Sequence, residues 1–380
     1  MHSEHAHGPH AQGFLKRLGF VHHVLFFRSL EVSLTGIFSS IIMLKNGLPF
    51  IYILFFFIGL QLFTLPLISL CLLAIRKIGM ERSIILSSAP TIVFYAFLAH
   101  PINELWWVAT MALLTSLSGL FFWLPFHMCF TQHLPKKHTS AHFGWFEGLQ
   151  IIGGTIGPLI GGLCLTFFDS KYLLVLAALL AAISTFPLFK QNPTKFTGLS
   201  IRFERSWTNL AFFCEGLARG ALAFIWPIFL FILGISVLGL GIVYFCARIF
   251  TASLSILLSD MFDLRHRHTL KTMSWANSAL FSVRAFFLSP AIVAFTTILG
   301  ELFFTLLNVP FTQRWMELSR HVGKQIIVDR ELWVGIGRAS LLLLVLFNLV
   351  LFGTVVACIM GLVVGSISML GLVFIERDMA

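Results

Sequence analysis

The chain has 380 residues, 58% apolar and only 11% charged, with a mean hydropathy of +0.91 and a formal net charge of +10. Soluble domains carry roughly 25% charged residues, so this composition excludes a soluble protein with one anchor and points to a chain that crosses a membrane many times. Six cysteines (Cys71, Cys129, Cys164, Cys214, Cys246, Cys358) are scattered through apolar segments without CxxC or metal spacing. They read as small core residues, not as a disulfide frame or a metal centre.

The first residues, Met1 to Gly13, are His-rich and not basic, and no small-residue cleavage site follows the first apolar run. The run is therefore expected to stay as a helix, not to leave as a signal peptide. His2, His5, His7 and His10 have a spacing that holds Zn or Cu loosely. A solvated tail is the simpler reading, and no metal site is assigned. A helix needs about 20 apolar residues to cross the hydrocarbon core. Turns and charge clusters then divide the chain into twelve spans, near 20–44, 48–74, 83–100, 103–129, 142–168, 171–189, 208–233, 236–259, 271–289, 291–312, 331–352 and 354–375. The tail is 1–19, a six-helix bundle is 20–190, a polar linker with Pro193 and Gly198 is 191–206, and a second six-helix bundle is 207–380. The linker reads as a short tether between rigid bodies.

Lys and Arg placement supports this count. With both termini on the cytoplasmic side, nineteen basic residues fall in cytoplasmic segments, only Lys45 and Lys171 fall outside, and five lie within spans. That asymmetry is what the positive-inside rule expects. It accounts for the net charge as a leaflet bias, with no nucleic acid partner.

Three weak internal matches share nearly one offset. Phe38–Gly47 resembles Ile225–Gly234 at an offset of 187, and Leu124-Pro125-Phe126 resembles Val309-Pro310-Phe311 at 185. The basic turn after span two, Arg76-Lys77-Ile78-Gly79, falls on Asp263-Leu264-Arg265-His266 after span eight at 187. Together they indicate duplication of a six-span unit, in parallel because six is even.

Span five reads Gly144, Gly153, Gly157-Pro158, Gly161-Gly162. Glycine weakens a helix, but repeated on one face it lets a neighbour pack backbone to backbone, and proline invites a bend. The twelve spans, the repeat and this pattern resemble the major facilitator superfamily, over essentially the whole chain after residue 20. The span-five residues match the antiporter motif of that family at every fixed position. The family's loop motif after span two is degraded: Arg76 stands where Asp is preferred and Leu72 where Gly is, while Gly79 and Arg82 remain. In the second half Ser259, Asp263, Arg265 and Arg267 occupy the corresponding turn. Span four lacks the buried Arg that the family links to proton coupling. The resemblance implies an all-α polytopic fold of two six-helix bundles related by a pseudo-two-fold axis. It also implies alternating access around a midplane site lined by spans one, four, seven and ten.

Ionisable groups inside spans are costly, so each should face protein or water and find a partner. Counting about 1.5 Å per residue from the cytoplasmic boundary puts Glu31, Arg219, Arg248, Arg284 and Glu301 roughly 14–18 Å deep, with Arg28 and Arg338 near 10 Å. Arg28 and Glu31 share a face of span one, as Glu215 and Arg219 do on span seven. Arg28, Glu31, Glu215, Arg219 and Glu301, with Trp123 and Trp226 as aromatic platforms, are the candidate substrate or ion groups. Arg284 and Glu301 lie at matched depth and are expected to pair. Glu331 and Arg338, seven apart, are expected to pair along span eleven. Glu147 reads as a helix-start acid or an inner gate. His127 and Gln150 are further polar groups beside the cavity spans, and Trp106 and Trp107 read as an interface belt.

No HExxH, GxSxG or phosphate-cradling glycine loop occurs, which argues against an enzyme, a cofactor or an ATP-driven pump. The expected protein is a monomeric secondary transporter of a small solute in the plasma (inner) membrane. Coupling to H+ or another ion and export are suggested by the carboxylates and the antiporter-type motif. A uniporter and a transport-inactive sensor or scaffold stay open.

Overall fold

The computed structural model describes residues 9–133, 139–201, 206–262, 266–321 and 323–379. Every regular element among them is helical. The first span is a long helix α1 (Pro9–Thr35) followed by a short α2 (Ser39–Lys45), and α3 is Phe50–Ile78. The third span is divided into α4 (Met80–Leu86) and α5 (Ser88–Leu98). Then come α6 (Leu105–His133), α7 (Thr139–Phe167) and α8 (Ser170–Thr185) with a 3-10 turn to Lys190.

The second half starts with α9 (Trp207–Gly220), a π-helical turn (Ala221–Ile225) and α10 (Trp226–Ile232), which together make one span. It continues through α11 (Val237–Phe262), α12 (His266–Phe286), α13 (Pro290–His321), α14 (Gln325–Phe352) and α15 (Thr354–Gly371). Nine described helical runs are long and apolar enough to cross a membrane. The runs at 83–100, 236–259 and 271–289 are not among them. The first is interrupted at Ser87, the second has a shorter apolar stretch, Val237–Ser253, and α12 carries many polar residues on a low mean hydropathy.

The duplication is visible in backbone geometry. Gly47 and Gly234, 187 apart, both adopt positive φ, at 85° and 89°. Each closes the turn after a short apolar helix, a conformation that glycine enters without steric cost. Pro125 and Pro310 both lie inside their helices, and not at helix ends as expected: α6 continues to His133 and α13 to His321. Buried membrane helices keep such prolines because neighbours satisfy the freed backbone groups. The core is continuous, with Phe38, Phe122, Phe126, Phe212, Phe229 and Phe311 fully enclosed.

Contacts repeat with a six-span shift. Helix α1 packs on α7 as α9 packs on α14, and α7 meets α11 as α14 meets α3. The last two pairs join the first half to the second.

The linker departs from the tether expected. Glu81, buried at the start of α4, accepts hydrogen bonds from Thr194 N (2.7 Å) and Thr194 Oγ1 (2.9 Å), and Met80 N donates to Thr194 O (2.8 Å). Gly79, at φ 92°, leaves room for Pro193: a Cβ there would lie 2.7 Å from the proline ring. Farther along, Gln325 Nε2 donates to Ser200 O (2.6 Å) and its Oε1 accepts from Ser200 N (3.3 Å). The linker is thus fastened to α4 at one point and to α14 at another.

Candidate functional site

A cavity of about 470 Å³ opens between the two halves, within the 300–1,000 Å³ range of small-molecule sites. Its walls come from α1 (Ser29, Ser33), α3 (Phe57), α6 (Trp123), α7 (Gln150, Pro158), the seventh span (α9 to α10), α11, α13 and α14. The π turn contributes Leu222, Ala223 and Phe224. Such a turn widens a helix locally, and Pro227 just beyond it cannot donate the backbone hydrogen bond that would tighten it.

Charge is concentrated on the second-half wall. Arg219, on the last turn of α9, donates from Nε to Glu215 Oε1 (2.7 Å) and from Nη2 to Asn308 Oδ1 of α13 (2.6 Å). Glu215 is shared: Arg330 of α14 donates to it from Nε (3.0 Å) and Nη2 (2.5 Å). This two-pronged geometry fixes both planes. Arg330 continues to Glu331 (3.4 Å), and Glu331 lies 3.8 Å from His127 Nδ1 of α6. A chain of polar contacts thus runs from the cavity wall to the first half of the molecule. Arg248 of α11 faces Glu301 of α13 at 3.5 Å. Arg338 of α14 also lines the cavity, and its Nε is buried without a hydrogen-bond partner.

The glycines of α7 work on two sides. A Cβ at Gly153 would lie 2.8 Å from Phe26 O, one at Gly157 would lie 2.8 Å from Leu34 N, and one at Gly161 would lie 2.6 Å from Leu34 O, all on α1. Gly162 instead faces α11, where Gly241 Cα and Val237 O would each be 3.2 Å away. The counterpart in the second half is the pair Gly216 and Gly337, where a Cβ on either would collide with backbone of the other helix. The side-chain surroundings of Gly144 and Glu147 lie outside those described, and so do Asp263 and Arg265.

No protein-family model matches the sequence, and no curated protein matches it. Solved structures do. The crystal structure of the human organic anion transporter MFSD10 (TETRAN) superposes with a TM-score of 0.65 at 13% identity, over 94% of this chain and 99% of that one. The chain has the major facilitator superfamily fold. It is an all-α polytopic membrane protein.

Within this superfamily fold, the residues expected to gather at the site divide. Arg219, Glu301 and Trp123 line the cavity, together with Gln150, Arg248 and Arg338. Arg28 and Glu31 do not. They pair at 2.9 Å but lie on the far side of α1 from Ser29 and Ser33, buried against α5 and α6. There Tyr95 donates to Glu31, and Arg28 reaches Ser118 Oγ (3.0 Å) and Thr91 Oγ1 (3.4 Å). At 100° per residue, positions 29 and 31 are more than half a turn apart, so the span is right and the face is not. Glu215 stands behind Arg219, and Trp226 is buried beneath Arg284 with its Nε1 donating to Thr297 Oγ1 (3.2 Å).

Two expected pairs are replaced. Glu301 takes Arg248 in place of Arg284, whose guanidinium donates to Thr296 O (2.6 Å) and stacks on Trp226 and Phe281. Glu331 takes Arg330 in place of Arg338, because a seven-residue separation spans about 10 Å along a helix. Trp106 is exposed, in keeping with a belt position, but Trp107 is enclosed. Gly79 seats the linker, whereas Arg82 is exposed and makes no hydrogen bond or ion pair among the described residues.

The residues that sequence reading missed at the cavity are Asn308, Tyr244, Thr305, Phe57 and Phe224. Asn308 had one available signal. It lies seven residues after Glu301 on the span paired by the repeat with span four.

Proposed function

We propose that this protein is a secondary carrier that moves a small solute across the membrane by alternating access of its two halves around the central cavity. The observation that carries the reading is the cavity itself. It is built from both halves and flanked by two repeat-related contacts, α7 with α11 and α3 with α14, that join one half to the other. The α7–α11 contact is made by small residues where Gly162 meets Gly241, which suits surfaces that separate and re-form. In this reading the chain has twelve spans, both termini face the cytoplasm, and the protein works as a monomer in the plasma (inner) membrane, with 20–190 and 207–380 as the moving bodies. The likeness to an organic anion transporter supports carriage in general terms.

Alternating access is tested without knowing the solute. A single cysteine in place of Thr305, which lines the cavity, is labelled with a membrane-impermeant maleimide from either side. A second pair of cysteines then cross-links the Gly162 end of α7 to the Val237 end of α11. The expected result is labelling from both sides before cross-linking and from one side only afterwards. Labelling from both sides after cross-linking indicates a channel, and labelling from one side throughout indicates a transport-inactive scaffold.

For coupling, Glu301 is the proposed proton- or ion-linked carboxylate and export the proposed direction, since it faces the cavity and holds Arg248. Glu31 is the second candidate, acting through Tyr95 from behind α1. In proteoliposomes, flux driven by a pH gradient is expected to be lost in Glu301→Gln. Gradient-driven flux that survives both Glu301→Gln and Glu31→Gln makes the protein a uniporter.

A further inference from the structure

We infer that the solute is an organic anion with an aromatic or similarly flat apolar body, held at its charged end by Arg338, Arg219 and Asn308. This deepens the carrier reading and rests on it for the site.

The inference begins with unbalanced charge. Around the second-half wall stand five arginines (Arg219, Arg248, Arg284, Arg330, Arg338) and three glutamates (Glu215, Glu301, Glu331). Each glutamate is engaged. Glu215 is gripped by Arg330 and Arg219, Glu331 by Arg330, and Glu301 by Arg248. Two arginines have no carboxylate within ion-pair distance among the described residues. Arg284 is accommodated otherwise, by Thr296 O and by the faces of Trp226 and Phe281 at 4.9 and 5.0 Å. Arg338 has neither. It makes no hydrogen bond or ion pair among the described residues, its Nε is buried and unpartnered, and it faces the cavity. A guanidinium within a membrane span requires a counter-charge or a polar partner, and the space beside Arg338 is where a bound anion supplies one.

The neighbouring groups suit the same ligand. Arg219 comes from the helix packed on α14, where a Cβ at Gly220 would be 3.7 Å from Arg338 Cα. Its Nε and Nη2 are committed to Glu215 and Asn308, which hold the guanidinium plane and leave Nη1 to donate. Asn308 accepts with Oδ1, so its amide nitrogen donates. Donors from α9, α13 and α14 therefore line one cavity, whose carboxylate, Glu301, is held by Arg248, an arrangement that fits a carboxylate or sulfonate. A cation at this end meets two guanidinium groups. Aromatic rings from both halves make up much of the remaining lining: Phe57 stacks on Phe224 at 4.5 Å, Trp123 faces the cavity from α6, and Phe304 lies under the Arg219 guanidinium at 5.5 Å. Rings of this kind take flat apolar bodies.

The test uses one shape with three charges: 1-naphthoate, 1-naphthamide and 1-naphthylmethylamine. Binding to the purified full chain is read by thermal shift, and translocation by uptake of the labelled compounds into proteoliposomes. The expected result is stabilisation and uptake by naphthoate, at least tenfold tighter than by the amide, with none by the amine. In Arg338→Gln the preference for the acid over the amide should fall at least tenfold, and Arg338→Lys should restore part of it. Preference for the amine or the amide, with uptake intact, overturns the anion assignment and leaves the carrier reading standing. Naphthoate binding that depends on Arg338 but gives no uptake does the reverse. Absence of binding by naphthoate at millimolar concentration in the wild-type chain overturns the proposal without reference to any variant.

Discussion

The packing of α7 on α1 makes a sharp demand on Gly161. A Cβ added there meets Leu34 O at 2.6 Å and Phe38 Cδ2 at 2.7 Å, while ordinary contact begins at 3.4 Å. The ring can swing, but a backbone carbonyl inside a helix cannot move alone, so α1 and α7 must part by about 0.8 Å at this point. Overpacking of this kind costs about 1–3 kcal/mol. Alanine also gains about 1 kcal/mol over glycine in a helix, which would mask part of the loss. Gly119 of α6 provides the control, because a Cβ there meets nothing within 4 Å. Both variants share the backbone gain, so their difference isolates the clash. In detergent-solubilised protein, Gly161→Ala is expected to be about 1–3 kcal/mol less stable than Gly119→Ala by reversible or scan-rate-matched unfolding. If Gly161→Ala equals or exceeds Gly119→Ala in stability, the helices are not held at backbone distance and the reasoning fails.

Gly162→Ala should behave differently. Its nearest contacts, at 3.2 Å, lie on α11 of the other half, so stability within about 1 kcal/mol of wild type with slowed solute exchange is expected, and an unchanged exchange rate counts against a moving α7–α11 contact. Glu81→Ala removes both carboxylate hydrogen bonds to Thr194. Hydrogen bonds to charged groups contribute about 1.5–3 kcal/mol, so the linker should become cleavable by protease, and resistance equal to wild type would show that Glu81 does not hold it. Lys324, just before α14, donates to Met128 O (3.1 Å) and covers the Phe196 ring, and burial pushes its pKa down to about 8. Burial penalises the charged form, so this docked arrangement should be weakest below pH 8, strengthen between pH 8 and the ordinary lysine value of 10.5, and level off above it. Distances between spin labels on α6 and α14 should follow that curve and become flat in Lys324→Met; a population that falls with rising pH contradicts the sign.

Much of the architecture was legible because its signals are local. Apolar runs, turn glycines such as Gly47 and Gly234, and the spacing of Gly153, Gly157 and Gly161 all act within one or two helices. The site was legible by span and less so by face. Arg219, Glu301 and Trp123 were placed on the cavity, but Glu31 was not distinguishable from Ser33, since depth along α1 does not fix which face a neighbouring helix covers. Which side of α1 meets α7 is decided by the bare face of α7, and that removes Glu31 from the cavity by burying it against α5. Partner choice among charges was harder still. Arg248 and Arg284 are both within reach of Glu301 by depth, and the choice depends on how α11, α12 and α13 are rotated. Tyr244 carries no sequence pattern that separates it from packing residues, and Asn308 carries only its spacing of seven from Glu301.

The strap between the halves sets a mechanical limit. From the Thr194 clamp to the Ser200 clamp there are six peptide steps, which at about 3.5 Å each reach roughly 21 Å when taut. Rocking that widens the gap between the starts of α4 and α14 first draws out that slack, and any wider stroke has to unfasten one end. Residues Pro193 to Ser200 would then act as a leash whose length, and not only the bundles it joins, governs how far the molecule can gape.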